Sequence, residues 1–173
     1  MNSSSLLERM KILIVDDEPA NVALLQEILL ENGYARLESV GNSKNVLETY
    51  TKFQPDLVLL DLMMPPPDGF AILESLRSEN AESFLPVVVL TADTSEETKR
   101  RALEAGANDF LCKPLDHIEV VLRIRNLLET RRVHLLLDNQ RAALEETFRE
   151  RTDELRATIA ELQKENELLT HTV

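Results

Sequence analysis

The stretch Val58–Phe70, VLLDLMMPPPDGF, runs an apolar segment into an aspartate, then three consecutive prolines, then Asp-Gly. An uninterrupted apolar run of this length reads as a strand buried on both faces. Proline has no N–H and a fixed φ, so it neither continues a central strand nor sits inside a helix. The chain therefore carries one acidic side chain, Asp61, to the end of a buried strand and turns away at once.

Working outward, the same alternation recurs. KILIV (Lys11 to Val15) reads as a buried strand, and Glu18-Pro19 opens a helix that Asn32-Gly33 closes. RLESV (Arg36 to Val40) alternates as a half-exposed strand does, and Ser43 to Phe53 reads as helix. After DLVLLD (Asp56 to Asp61) and the prolines, a helix runs from Phe70 to about Arg77. PVVVLT (Pro86 to Thr91) is a strand, and Ser95 with Glu96-Glu97 starts a helix ending at Ala105-Gly106. DFLC (Asp109 to Cys112) is a short strand, and another helix begins near Asp116. Continuous apolar strands joined by helices and short connections predict an α/β fold: a doubly wound parallel sheet of five strands.

The 173 residues suit one domain plus an appendage, and 43% apolar residues with only 4% aromatic predict an aliphatic core. Up to Leu115 there are 10 basic and 19 acidic side chains, leaving −9 of the total −12. Such an acidic body argues against nucleic-acid binding, which needs a basic face. The single cysteine, Cys112, excludes an internal disulfide. Neither a signal-peptide core nor an apolar run of membrane-spanning length is present, so the expectation is a cytoplasmic protein without a membrane partner.

From Asp116 onward there is no Gly and no Pro. Leu155, Ile159, Leu162, Asn166 and Leu169 step by four, three, four and three, a coiled-coil seam with one polar core position. Upstream, Leu144, Phe148 and Thr152 are four apart, as at a stutter. A helix of about 50 residues spans roughly 75 Å, far more than a small domain can cover. It needs another helix, most simply its own copy.

The polar residues fall at carboxyl ends of strands: Asp16 and Asp17 after the first, Asp61 at the third, Thr91 at the fourth, Lys113 after the fifth. That edge is where open α/β sheets bind ligands. With strand order 2-1-3-4-5, the three aspartates meet across one strand spacing of about 4.8 Å, with Thr91 on the far flank of Asp61. Lys113 starts about 10 Å away, within partial reach. Carboxylates this close repel, and a hard divalent cation such as Mg²⁺ relieves the repulsion. A carboxylate nucleophile with a cation, a lysine and a hydroxyl around it suits phosphoryl transfer.

The segments ILIVDDEP, LVLLDLMMPPPDGF, VVVLTA and GANDFLCKPL together resemble the receiver domain of bacterial two-component response regulators, over about Lys11 to Leu128. The resemblance implies a flavodoxin-like, CheY-like fold and a phosphoacceptor rather than an enzyme. It implies Asp61 as phosphoacceptor, with a phosphoryl group taken from a histidine kinase or phosphotransfer protein. Asp16, Asp17, Asp61 and the Met63 carbonyl would hold Mg²⁺ or Mn²⁺. Thr91 and Phe110 would be the switch residues and Lys113 the phosphate partner, with Lys113-Pro114 a cis peptide. Met63 and Asp93 occupy positions that tune hydrolysis in the family. Pro65 fits the family pattern, whereas Pro66 and Pro67 fall where the family varies.

The resulting organisation is an N-terminal tail (1–10), a receiver domain (11–128) and a helical dimerisation or linker segment (129–173) giving a homodimer. The tail also resembles signalling helices that lead to HD-GYP phosphodiesterase, GGDEF cyclase or histidine kinase outputs. The chain is then either a receiver with a dimerising helix or the front of a longer regulator. An aspartate-nucleophile phosphatase of the haloacid-dehalogenase type needs a second Asp at the position of Met63, so it is disfavoured. His134 lacks the neighbours of a phosphodonor histidine, and His117 and His171 lack metal-ligand spacing.

Overall fold

The computed structural model describes residue 7, residues 9–81 and residues 83–170, with side chains described as far as 167. Its elements are β1 (Lys11–Val15), α1 (Pro19–Glu31), β2 (Arg36–Val40), α2 (Val46–Phe53), β3 (Leu57–Asp61), α3 (Gly69–Glu79), β4 (Val87–Thr91), α4 (Glu96–Glu104), β5 (Asp109–Cys112) and α5 (His117–Thr170). The five strands form one parallel sheet in the order β2-β1-β3-β4-β5, as the strand-end reading required. Two compact units are distinguished, up to Arg132 and from Val133 onward.

Burial follows from sequence pattern. Every residue of β3 and β4 is buried, because both faces of a central parallel strand are covered. Edge strand β2 keeps the alternation that its sequence shows. Leu13, Val15, Val58, Leu60, Val87 and Val89 form one apolar cluster with Ile72, Leu73 and Leu76 of α3 and Val46 and Tyr50 of α2. The alternate residues Ile12, Ile14, Leu57, Leu59, Val88 and Leu90 are equally buried and face the opposite side. Buried Leu25, Ile28 and Leu29 of α1, and Val120, Ile124 and Leu128 of α5, supply that second layer. The steps of four in α5 put its three on one helical stripe. Leu7 and Met10, within the segment expected as a tail, are also buried; residues 1–6 and 8 lie outside the described residues.

Helix ends match their local chemistry. Ser95 Oγ accepts from the Thr98 amide at the start of α4, and Asp68 Oδ1 accepts from the Ala71 amide at the start of α3. Gly33 and Gly106 adopt positive φ just past α1 and α4, where a side chain would be strained. Arg77 fastens α3 to the turn before β5, donating to the Gly106 and Leu85 carbonyls and to Asn108 Oδ1.

Among its described residues the second unit is helix alone. Leu155, Ile159 and Leu162 are 63%, 54% and 58% exposed, so the expected seam has no apolar cover among the described residues of this unit. Asn166 is exposed as well, and the side chain of Leu169 lies outside the described residues. Among the described residues no helix is long and apolar enough to cross a membrane.

Candidate functional site

Register places the site. Val15 pairs with Leu60, so Asp16 and Asp61 are the next residues on adjacent strands. Asp61 in turn pairs with Leu90, one residue before Thr91. Asp16, Asp61 and Thr91 are each at most 3% exposed in a sheet edge otherwise built of Leu and Val, while Asp17 is exposed. Carboxylate oxygens of Asp16, Asp17 and Asp61 all lie within 4.8 Å of one another.

Lys113 reaches farther than strand spacing alone allowed. Its Nζ sits 2.9 Å from Asp16 Oδ2 and 3.1 Å from Asp61 Oδ2, bridging the two buried carboxylates. The turn after β5 aims it there: the Lys113 amide donates to the Thr91 carbonyl, and the Lys113-Pro114 peptide is cis. Burial pushes the Asp61 carboxyl up from its ordinary pKa, and the Asp16 charge adds to this; the Met63 amide and Lys113 only partly offset it. Burial alone would lower the Lys113 ammonium, but its hydrogen bond to Asp16 and the Asp61 charge leave it raised overall. The edge thus has more negative charge than one lysine compensates.

Asp16 is held from a direction the sequence did not announce. Asn21 Nδ2 lies 3.2 and 3.1 Å from its two oxygens, and the Glu18 amide donates to Oδ1 at 2.9 Å. Asn21 sits in the first turn of α1, just after Pro19, where a side chain faces back toward the strand end. That placement was the available signal, but a lone Asn in a first turn has many other uses.

The proline stretch acquires a geometry. Ser43 Oγ donates to the Pro65 carbonyl at 3.0 Å, tying the loop to the turn after β2. The Pro66-Pro67 peptide is cis, which the sequence did not suggest. Gly69 then brings α3 hard against the end of β3: a Cβ there would lie 2.3 Å from the Asp61 carbonyl oxygen and 2.5 Å from Leu62 Cα. Only glycine permits that approach. Met63 donates its amide to Asp61 Oδ1 at 3.2 Å, and the residue is 69% exposed.

The two expected switch residues lie on adjacent strands, Thr91 at the end of β4 and Phe110 within β5. Thr91 Oγ1 accepts from the Asp93 amide at 3.0 Å. Phe110 is half-buried, with the Lys99 ammonium 5.2 Å and the Arg123 guanidinium 5.8 Å from its ring centre. Phe110 also walls a groove of about 830 Å³ along α4, lined by Glu96, Lys99, Arg100 and Leu103, away from the carboxylates.

Comparison with known proteins decides the family. Residues 12–125 match the model of the response regulator receiver domain. The chain belongs to that family. Its receiver is 41% identical to the transcriptional regulatory protein PcoR of Escherichia coli over 122 residues, 70% of this chain and 53% of PcoR. A Vibrio cholerae protein named "Probable cyclic di-GMP phosphodiesterase" is 32% identical over 149 residues, 86% of this chain and 33% of its own length. The receiver domain of NtrX from Brucella abortus superposes with a TM-score of 0.63 at 31% identity, covering 69% of this chain and 99% of NtrX's solved domain. The chain spans about half or less of the length of these two curated relatives. Receiver domains are phosphoacceptors that take phosphate from histidine kinases or phosphotransfer proteins, and they bind Mg²⁺ through an acidic cluster, here Asp16, Asp17 and Asp61.

Proposed function

We propose that Asp61 is the phosphoacceptor of a two-component signalling receiver. The carrying observation is the buried Asp61 carboxylate, bridged by Lys113 to Asp16 at the carboxyl edge of the sheet. An Asp61 oxygen attacks phosphorus of the donor phosphohistidine; the P–N bond breaks and the imidazole leaves with its electron pair. Lys113, already between the carboxylates, pairs with the phosphoryl oxygens, and the Thr91 hydroxyl donates to them.

The acidic edge fits a hard cation: Asp16, Asp17 and Asp61 offer oxygens within 4.8 Å, three carboxylates against the one ammonium of Lys113. With the Met63 carbonyl they would hold Mg²⁺ or Mn²⁺. The ion when bound neutralises charge on the transferring phosphoryl oxygens. Phosphorylation adds about −1.5 to −2 charge. Thr91 and Phe110 turn inward in response and reshape the face formed by α4, β5 and the start of α5. Residues 129–173 pair two copies of the chain through Leu155, Ile159, Leu162, Asn166 and Leu169, and the reshaped face alters that pairing. Incubation with acetyl phosphate and Mg²⁺ should add one phosphoryl mass to the chain, and Asp61→Asn should remove the addition. Full labelling of that variant would overturn the assignment.

A second reading makes the chain the receiver and signalling helix of a longer regulator with an enzymatic output. Supporting it, 149 residues align with the Vibrio cholerae protein, too many to end before Val133, so the likeness enters the long helix. A reading frame that continues past Val173 into a folded domain would favour it; a stop codon there would remove it.

A further inference from the structure

The turn between β4 and α4 is knotted by hydrogen bonds that the phosphoacceptor chemistry does not require. The Asp93 amide donates to Thr91 Oγ1 at 3.0 Å, and that hydroxyl lies 3.4 Å from the Asp93 carbonyl oxygen. The hydroxyl is thus engaged with the Asp93 peptide. The Asp93 carboxylate accepts from the Thr98 hydroxyl at 2.6 Å and from the Ser95 amide at 2.9 Å. Ser95 Oγ in turn accepts from the Thr98 amide at 3.3 Å. Thr98 therefore touches the turn twice, and its hydroxyl bond to an ionised oxygen is of the stronger, charge-assisted kind. The Asp93 carboxyl is held below the usual aspartate range, first by Thr98 and then by Ser95. The next residue on α4, Lys99, lies over Phe110. One helical turn thus contacts the surroundings of both switch side chains.

We propose that Thr98 is a positioning residue for Thr91: by clasping the Asp93 carboxylate it fixes the turn in which the Thr91 hydroxyl is held by the Asp93 peptide, and so opposes the rotation that would bring this hydroxyl to a phosphoryl group on Asp61. The inference rests on the phosphoacceptor reading and adds a restraint to it. Helix capping does not account for the arrangement, because Ser95 already caps α4 with its own side chain. The Thr98 hydroxyl is spent on Asp93 instead.

The test is calorimetric titration of the full chain with beryllium fluoride, an acyl-phosphate mimic, in the presence of Mg²⁺. Thr98→Val keeps the β-branched shape and removes the hydroxyl. It should tighten binding about fivefold, the scale of one modest hydrogen bond lost from the unbound state. Thr98→Ser should return the affinity to within about twofold of wild type, and Asp93→Asn should shift it in the same direction as Thr98→Val. A purely structural role for Thr98 would lower the melting temperature without tightening binding. Unchanged or weakened binding by Thr98→Val and Asp93→Asn would overturn the proposal while leaving Asp61 in place. A wild-type chain that failed to bind the mimic would instead overturn the phosphoacceptor reading, and the clasp with it.

Discussion

The carboxyl edge of the sheet and the helix beyond Val133 use polar and apolar residues in opposite senses. At the edge, Asp16, Asp61 and Thr91 are polar side chains buried at great cost, each with named partners. Along the helix, Leu155, Ile159 and Leu162 are apolar side chains left in water. Both are departures from ordinary burial, and the proposed function assigns each of them to contact with another molecule. The difference lies in what the protein supplies. The edge brings its own lysine, amides and hydroxyl, so its chemistry can be read from one chain. The helix supplies an exposed apolar stripe, which under the proposed pairing is half of a seam.

Perturbing each region should separate them. The largest effect is expected at the edge. Lys113→Met leaves the buried Asp16 and Asp61 carboxylates without their shared cation and should slow phosphoryl labelling by about 100-fold. Labelling at the wild-type rate would show that the bridge is only structural. Gly69→Ala forces a methyl group against the Asp61 and Leu62 backbone, and should cost about 1–3 kcal/mol in denaturant unfolding. A neutral result would mean that α3 can shift without moving Asp61.

In the helix, Ile159→Glu should convert a dimer to a monomer by sedimentation while leaving the receiver's melting temperature within about 2 °C, a shift of under 0.5 kcal/mol. An unchanged dimer would place the interface elsewhere. The smallest effect is a titration. Asp93 is held below the ordinary carboxylate range, so its contribution to stability is present above the unfolded value and is lost as pH falls through the lower folded value. NMR titration should find that midpoint low, and Thr98→Val should move it up toward an unperturbed aspartate. An Asp93 that titrates normally in the wild type would break the clasp.

Much of the edge was legible because its residues stand directly after apolar strands. Once β1, β3, β4 and β5 are recognised, Asp16, Asp61, Thr91 and Lys113 follow by counting, and the parallel order brings them together. Side-chain reach was less legible. Lys113 was placed about 10 Å off by strand spacing, but the lysine and aspartate side chains close that gap from both ends, and its Nζ bridges both carboxylates. Asn21 and Thr98 were missed for the same reason: each acts from the first turn of a helix, where Asn and Thr commonly serve as caps or solvent-facing residues. Gly69 was visible only as half of a turn dipeptide, because its necessity lies in a backbone approach that no local pattern encodes. The long helix and its exposed apolar stripe were legible from the four-three spacing, whereas a partner for that stripe is not a property of one chain.

The site assignment is tested most directly by reducing the phosphorylated chain with borohydride, which converts an aspartyl phosphate to homoserine, and sequencing the peptides by mass spectrometry. Homoserine is expected at position 61 and nowhere else, dependent on Mg²⁺ and on the phosphodonor. Homoserine at position 16 or 17, or a phosphorylated chain with position 61 unchanged, would contradict it.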